Sequence, residues 1–192
     1  MDIIFNIQYA NTNNFTDGKY TGTAYALRQF RMEVIGEIFD SVFFRFRERY
    51  TRNPTPQSVD NTDLSVDMAF IDIRFSRKFY ATFGKLTADY GGYEIETNPI
   101  YIYQYNDLNA NFDGYEVGAG VGWKITPTEK VALQLLNART QTFAEIYDSI
   151  PGITPSRFPA LAVANWRGNF AGKRFNTCYS FSVVQEAKNR YV

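Results

Sequence analysis

From Ser41 to Tyr50 the chain reads Ser-Val-Phe-Phe-Arg-Phe-Arg-Glu-Arg-Tyr, with arginine at every second position of its later half. Extended backbone sends successive side chains to opposite faces. Arg45, Arg47 and Arg49 therefore share one face, while Val42, Phe44, Phe46 and Tyr50 share the other. One such strand would fit many sheets, but the same division recurs. Tyr115, Val117, Ala119, Val121, Trp123 and Ile125 stand against Glu116, Gly118, Gly120, Gly122 and Lys124. Phe175, Tyr179, Phe181 and Val183 stand against Arg174, Asn176, Cys178, Ser180 and Ser182. Repeated greasy, aromatic faces backed by polar ones fit strands with lipid on one side and water on the other. The pattern predicts an all-β, antiparallel up-and-down transmembrane barrel with about nine strands present.

Composition narrows the alternatives. Aromatic residues make up 17% of the chain, yet only 45% of residues are apolar and the mean hydropathy is -0.33. A membrane helix needs a run of about 18 apolar residues, and none exists; a spanning strand needs only about 10, half of them polar. The 20 basic and 20 acidic residues cancel, so no global field points to nucleic acid. Histidine is absent and Cys178 is the single cysteine. Ser-His-Asp and Cys-His catalysis, histidine metal sites and an intrachain disulfide are thereby excluded, and no cofactor is expected. Cys178 reads as an ordinary strand residue.

Turn residues divide the chain. Ala10 to Thr23, rich in Asn, Thr and Gly, reads as a loop after a first strand at Ile3 to Tyr9. A strand follows from Ala24 to Ile38, and a short turn at Phe39 to Ser41 leads into the arginine strand. Both strands carry their polar face on odd numbers, which demands an odd-length connection. Glu33 then lies opposite Arg45, Arg47 or Arg49, whichever register is chosen. Thr51 to Asn61 is a polar outer loop, and Asp67 to Phe75 is a strand. The return strand, Lys78 to Lys85, has apolar residues on both faces, which leaves its orientation open. Leu86 to Asn111 is a long aromatic stretch, and loops of that length are usually functional. Phe112 to Ile125 is the clearest strand. Its glycines are expected to leave room beside the wall, and Trp123 suits a membrane interface. After a tight turn and a strand bearing Val131, Leu133 and Leu135, a second long loop runs from Ala138 to Pro159. A strand at Ala160 to Trp166, a turn at Gly168 to Lys173 and a final strand at Arg174 to Val184 follow. Short turns thus alternate with long loops.

Alternation nominates the lumen-lining residues: Arg31, Glu33, Glu37, Arg45, Arg47, Arg49, Arg74, Glu116, Lys124 and Arg174. The aromatic stretch nominates a constriction built from Lys85, Tyr90, Glu94, Tyr103, Tyr105 and Asp107. Arginines facing a narrow pore would raise the local concentration of anions. Paired with Glu33, Glu37 and Glu48, they would instead stiffen the wall. The aromatic loop could fold inward, stack sugar rings or pack as a lid. Gly91-Gly92 follows no strand-to-helix pattern and is no nucleotide fingerprint.

In order along the chain stand Phe30-Arg31-Met32-Glu33-Val34, Phe44-Arg45-Phe46-Arg47-Glu48-Arg49, Asp67-Met68-Ala69-Phe70 and Phe83-Gly84-Lys85. Tyr90-Gly91-Gly92-Tyr93-Glu94, Asn98-Pro99-Ile100, Ile102-Tyr103-Gln104-Tyr105-Asn106-Asp107, Leu133 to Arg139 and Phe143 to Tyr147 follow. In this order the chain resembles the phosphate-selective porin O and P family, in particular its Bacteroidetes-type members. The resemblance implies a channel-forming barrel of about sixteen to eighteen strands, of which this chain would be the N-terminal half. It also implies some preference for anions, though general diffusion pores occur in the family.

Met1-Asp2 is followed at once by a strand, without a basic n-region, and Ala187 to Val192 lacks the aromatic-ending strand that closes a bacterial barrel. Residues 1–192 are therefore expected to form one incomplete barrel domain. The function expected is passive diffusion of small hydrophilic or anionic solutes across the bacterial outer membrane. Lipid would be the partner around the barrel, with self-association into a homo-oligomer open. The alternative is a plugged structural or ligand-binding barrel without transport. A barrel enzyme lacks its usual histidine base, and a soluble Tyr-rich β-protein would need no detergent.

Overall fold

The computed structural model describes residues 1–90, 101–102 and 114–191. Among the described residues, nine strands make one antiparallel sheet in chain order: β1 (Asp2–Thr16), β2 (Lys19–Ile38), β3 (Val42–Arg49), β4 (Val66–Arg74), β5 (Phe79–Thr87), β6 (Tyr115–Lys124), β7 (Glu129–Asn137), β8 (Pro155–Phe170) and β9 (Phe175–Ala187). Each strand pairs only with its neighbours in sequence, and β9 does not return to β1. The sheet is an open section of an up-and-down barrel. One short helix, α1 (Phe143–Tyr147), stands between β7 and β8. No helix among the described residues is long and apolar enough to cross a membrane.

The connections alternate as the turn residues predict. Residues 39–41, 75–78, 125–128 and 171–174 make short turns at one end of the sheet. The connections 50–65 and 138–154 lie at the other end, where β5 also ends and β6 begins, together with the tip of the β1–β2 hairpin. Between β2 and β3 the three-residue turn sets Glu33 opposite Arg47 and Ile38 opposite Val42, in keeping with the parity argument.

Three segments differ most from the sequence reading. Residues 10–23 are not a loop: β1 runs to Thr16, and β2 starts at Lys19. Asp17 and Gly18, both at positive φ (51° and 75°), make the two-residue turn that such hairpins favour. Tyr9 stacks on Tyr25 at 6.1 Å and Phe15 meets Tyr20 edge-on at 5.8 Å, so aromatic pairs hold a ribbon whose other residues are mostly Asn and Thr. Both faces of this ribbon are exposed, which is why its polarity misled. The second difference is β8, which begins at Pro155, inside the expected loop, and continues past Trp166 to Phe170, because Pro155 pairs with Ala187 and Phe170 with Phe175. The third is α1, inside the supposed long loop. Thr142 and Glu145 form its capping box, each satisfying an otherwise orphaned backbone N–H.

Register also orients β5. Tyr80 and Thr82 lie opposite Arg74 and Asp72 on the charged face, and Phe79, Ala81 and Phe83 lie on the apolar one. Burial then separates the two faces. Charged-face residues such as Arg47, Glu116 and Asn165 are sheltered, whereas Val121, Leu133 and Phe181 on the apolar face are 55%, 53% and 70% exposed. This inverts a soluble sheet and presents a lipid-ready surface. Along β6 the apolar face runs from Tyr115 to Trp123; at about 3.4 Å per residue and a tilt near 40° it covers roughly 20 Å of membrane depth. Stacked Phe79–Trp123 and Trp166–Tyr179 pairs, each 5.6 Å between centroids, mark its short-turn edge.

Candidate functional site

The arginine strand lies between two acids. Glu33 on β2 accepts from Arg45 Nε and from Arg47 Nη2, the latter at 3.2 Å. Asp67 on β4 accepts from Arg49 through both oxygens, at 2.5 and 3.2 Å. Arg31 Nε and Arg52 Nη1 stand 3.6 and 3.9 Å from the same carboxylate, which is fully buried. Five guanidiniums thus gather around two carboxylates, and the group carries a positive surplus. Arg45, Arg49 and Arg52 keep about a third of their side chains exposed, so the surplus reaches the open side of the wall. Farther toward the short turns, Arg74 pairs with Glu37 at 2.8 Å in an exposed ion pair.

Alternation could not have nominated Asp67. The polar positions of β4 are even, yet the register slips by one residue between Arg47 and Glu48. That bulge turns an odd-numbered residue toward the arginines. Of the other nominated residues, Glu116 is buried opposite Leu86, Lys124 is exposed at the short-turn end opposite Lys130, and Arg174 sits in the turn before β9. Lys85 is buried; its ammonium donates to Gln57 and, at 3.0 Å, to Thr62, so it anchors the 50–65 connection. Glu94, Tyr103, Tyr105 and Asp107 lie outside the described residues.

The β6 glycines do not leave room; neighbouring side chains fill it. A Cβ at Gly122 would stand 2.0 Å from the Tyr80 ring and one at Gly120 3.2 Å from Gln134 Cγ, while at Gly118 the β7 backbone itself closes in, with Leu135 O at 2.3 Å and Leu136 Cα at 2.6 Å. The missing side chains let Tyr80 and Gln134 lie flat across the strand. Tyr80 so placed carries the Lys130 ammonium 5.1 Å from its ring centroid.

Gln134 so placed meets the segment that follows β5. Past the end of β5, where Thr87 still pairs with Tyr115 and Ala88 N–H donates to Gly114 O at 2.9 Å, the chain through Tyr90 crosses the charged face of β7, β8 and β9. The Gln134 amide donates to Thr87 O at 3.0 Å, and its oxygen accepts from Asp89 N–H at 2.7 Å. Asp89 O accepts from Asn165 Nδ2 at 3.1 Å and from Ser180 Oγ at 2.8 Å. Arg167 reaches the Asp89 carboxylate at 3.3 Å. Beneath this strap, Ala88 is fully buried against Leu86, Leu136, Leu161 and Val163, with Tyr90 packed alongside. Strap and wall border an open cavity of about 440 Å³ edged by Arg45, Asp72, Tyr80, Lys130, Gln134 and Arg167.

The long connections are fastened to one another as well. Asp60 wedges in where β6 and β7 part, accepting from Val117 N–H at 3.2 Å and Asn137 Nδ2 at 2.7 Å. Ser58 donates to Glu145, which also accepts from Thr142 N–H and Oγ at 2.7 and 2.6 Å. The bond from Ser58, then those from Thr142, favour the ionised acid and hold the Glu145 carboxyl below its usual range.

A charged, sheltered wall, an exposed apolar band with an aromatic edge, and a strap across the charged face together describe a section of a transmembrane barrel. The sequence profile of the family described as phosphate-selective porin O and P matches residues 1–192. No curated protein is significantly similar to the chain. The match spans every residue, and the chain belongs to the phosphate-selective porin O and P family of outer-membrane β-barrels.

Proposed function

We propose that the charged face lines a water-filled channel through which small hydrophilic solutes diffuse passively, with anions favoured. The observation that supports this reading most is the surplus of guanidiniums over carboxylates around Glu33 and Asp67. Guanidinium keeps its charge at any working pH and offers several donors to carboxylate or phosphate oxygens. Low-dielectric walls focus that field into the lumen, so anions are enriched there and cations depleted. No chemistry is asked of the wall: solutes move down their gradients, and no side chain described is used as a nucleophile or base.

The strap supports a second reading, because a segment crossing the inner face could close the pore outright. Planar-bilayer recordings of the full chain separate the two. A channel gives discrete conductance steps with a reversal potential displaced toward that of the anion in a salt gradient; a plugged barrel gives none. Replacing Arg45, Arg47 and Arg49 together by Gln leaves Glu33 and Asp67 facing fewer cations. The reversal potential should then move toward the cation value. An unchanged potential rules out the arginine group as the source of selectivity.

A further inference from the structure

We infer that Gln134 is the positioning residue of an internal constriction: seated over Gly120, it holds residues 87–90 across the pore. The inference rests on the channel reading for its conductance arm. Its geometry is more particular than a generic loop contact. A primary amide presents one donor and one acceptor side by side, as a peptide unit does. Gln134 uses both, donating to Thr87 O and accepting from Asp89 N–H, and so stands in for a neighbouring strand that the segment has left behind. Gly120 makes this possible, because a Cβ there would press on the Gln134 stem at 3.2 Å. Asn165 and Ser180 then take the outward carbonyl of Asp89. The backbone at Asp89 is thus held from three strands, and its carboxylate is fixed beside Arg167 at the cavity edge.

Position and selectivity are coupled through that carboxylate. Held where it is, Asp89 offsets Arg167 and narrows the passage. Released, the segment can swing from the wall, which widens the pore and separates the pair. Ala88, buried in an apolar cluster of Leu86, Leu136, Leu161 and Val163, donates its N–H to Gly114 O at 2.9 Å and ties the near end of the segment to the wall. The amide of Gln134 fixes the segment on from that tie, at Asp89.

Gln134→Met tests this, since it keeps the length and volume over Gly120 and removes both bonds. Two readouts are needed on detergent- or nanodisc-embedded full chain. Hydrogen exchange at the Asp89 amide should accelerate by about tenfold or more once its acceptor is gone. Single-channel conductance should rise by about half or more, with greater open-channel noise, because the narrowest section sets the current. Should Gln134→Met fail to assemble, Ser180→Ala, which removes one of two donors to Asp89 O, should give smaller changes of the same sign. Unchanged exchange at Asp89 overturns the positioning role whatever the conductance does. Faster exchange with unchanged conductance and noise overturns the constriction. A parent protein that shows no conductance sinks the diffusion-channel reading instead, and the exchange arm still decides the role of Gln134.

Discussion

Asp67 shows how much one side chain can carry when it is the shared counter-ion of several others. Its carboxylate is fully buried and meets Arg49 directly, with Arg31 and Arg52 within 4 Å. Removing it leaves buried and half-buried guanidiniums facing one another without compensation. Asp67→Asn should therefore destabilise the barrel by about 3–5 kcal/mol, the range for breaking a buried pair from one side. Glu37→Gln, which frees Arg74 from a pair that is about half exposed on each side, should cost no more than about 1 kcal/mol. Denaturant midpoints of the two variants in the same detergent check the contrast, and comparable losses would contradict it. The alternation of Arg45, Arg47 and Arg49 was legible in the sequence, since period two alone orients them. Asp67 was not, because a bulge reverses the parity on which that reasoning depends. The β6 glycines show the complementary limit. Their face could be read from the sequence, but what fills the space comes from Tyr80 on β5 and from Gln134 and Leu136 on β7.

At the level of elements, strands buried on one face announced themselves and strands wet on both faces did not. The outer ribbon of β1 and β2 is held by Tyr9–Tyr25 and Phe15–Tyr20 pairs, and its polar residues alternate with nothing to exclude. Only Asp17-Gly18 carried the hairpin signal. Helix α1 was likewise written in Thr142 and Glu145, a capping box inside a stretch that its three prolines mark as loop. That box extends to a second connection, because Glu145 also accepts from Ser58. Hydrogen bonds to the ionised carboxyl lower its pKa, so the linkage has a definite sign. The contact contributes above the ordinary carboxylate range and is lost as pH falls through the lowered value. Acidification should thus loosen residues 58–60 from α1 and raise protease cleavage in the 50–65 connection. Glu145→Gln should show raised cleavage already at neutral pH and little further rise in acid. A wild-type cleavage rate that does not change between pH 7 and pH 3 would falsify the latch.

For the whole molecule, the fold class follows from counting faces, while the arrangement on the charged face follows from contacts between distant segments. Asp89 and Ser180 lie far apart in sequence, and no local pattern foretells that the end of β5 crosses to β9. Cys178 offers a direct test of which face is wet. It stands on β9 opposite Arg167, whose guanidinium holds Asp89, and its thiol lies 3.7 Å from Asn165 Nδ2. If that face lines an aqueous lumen, charged methanethiosulfonates that cannot enter lipid should modify the chain, and Cys178→Ser should abolish the reaction. Both a sulfonatoethyl and a trimethylammonioethyl label should lower conductance, because each adds bulk beside the strap. Their effects on reversal potential should be opposite: the sulfonate offsets Arg167 and reduces anion preference, while the ammonium adds to it. Equal shifts would mean that the labels act through size alone and that charge near Arg167 does not select. Absence of any reaction in the folded chain, with full reaction after unfolding, would place Cys178 away from water and reverse the assignment of faces.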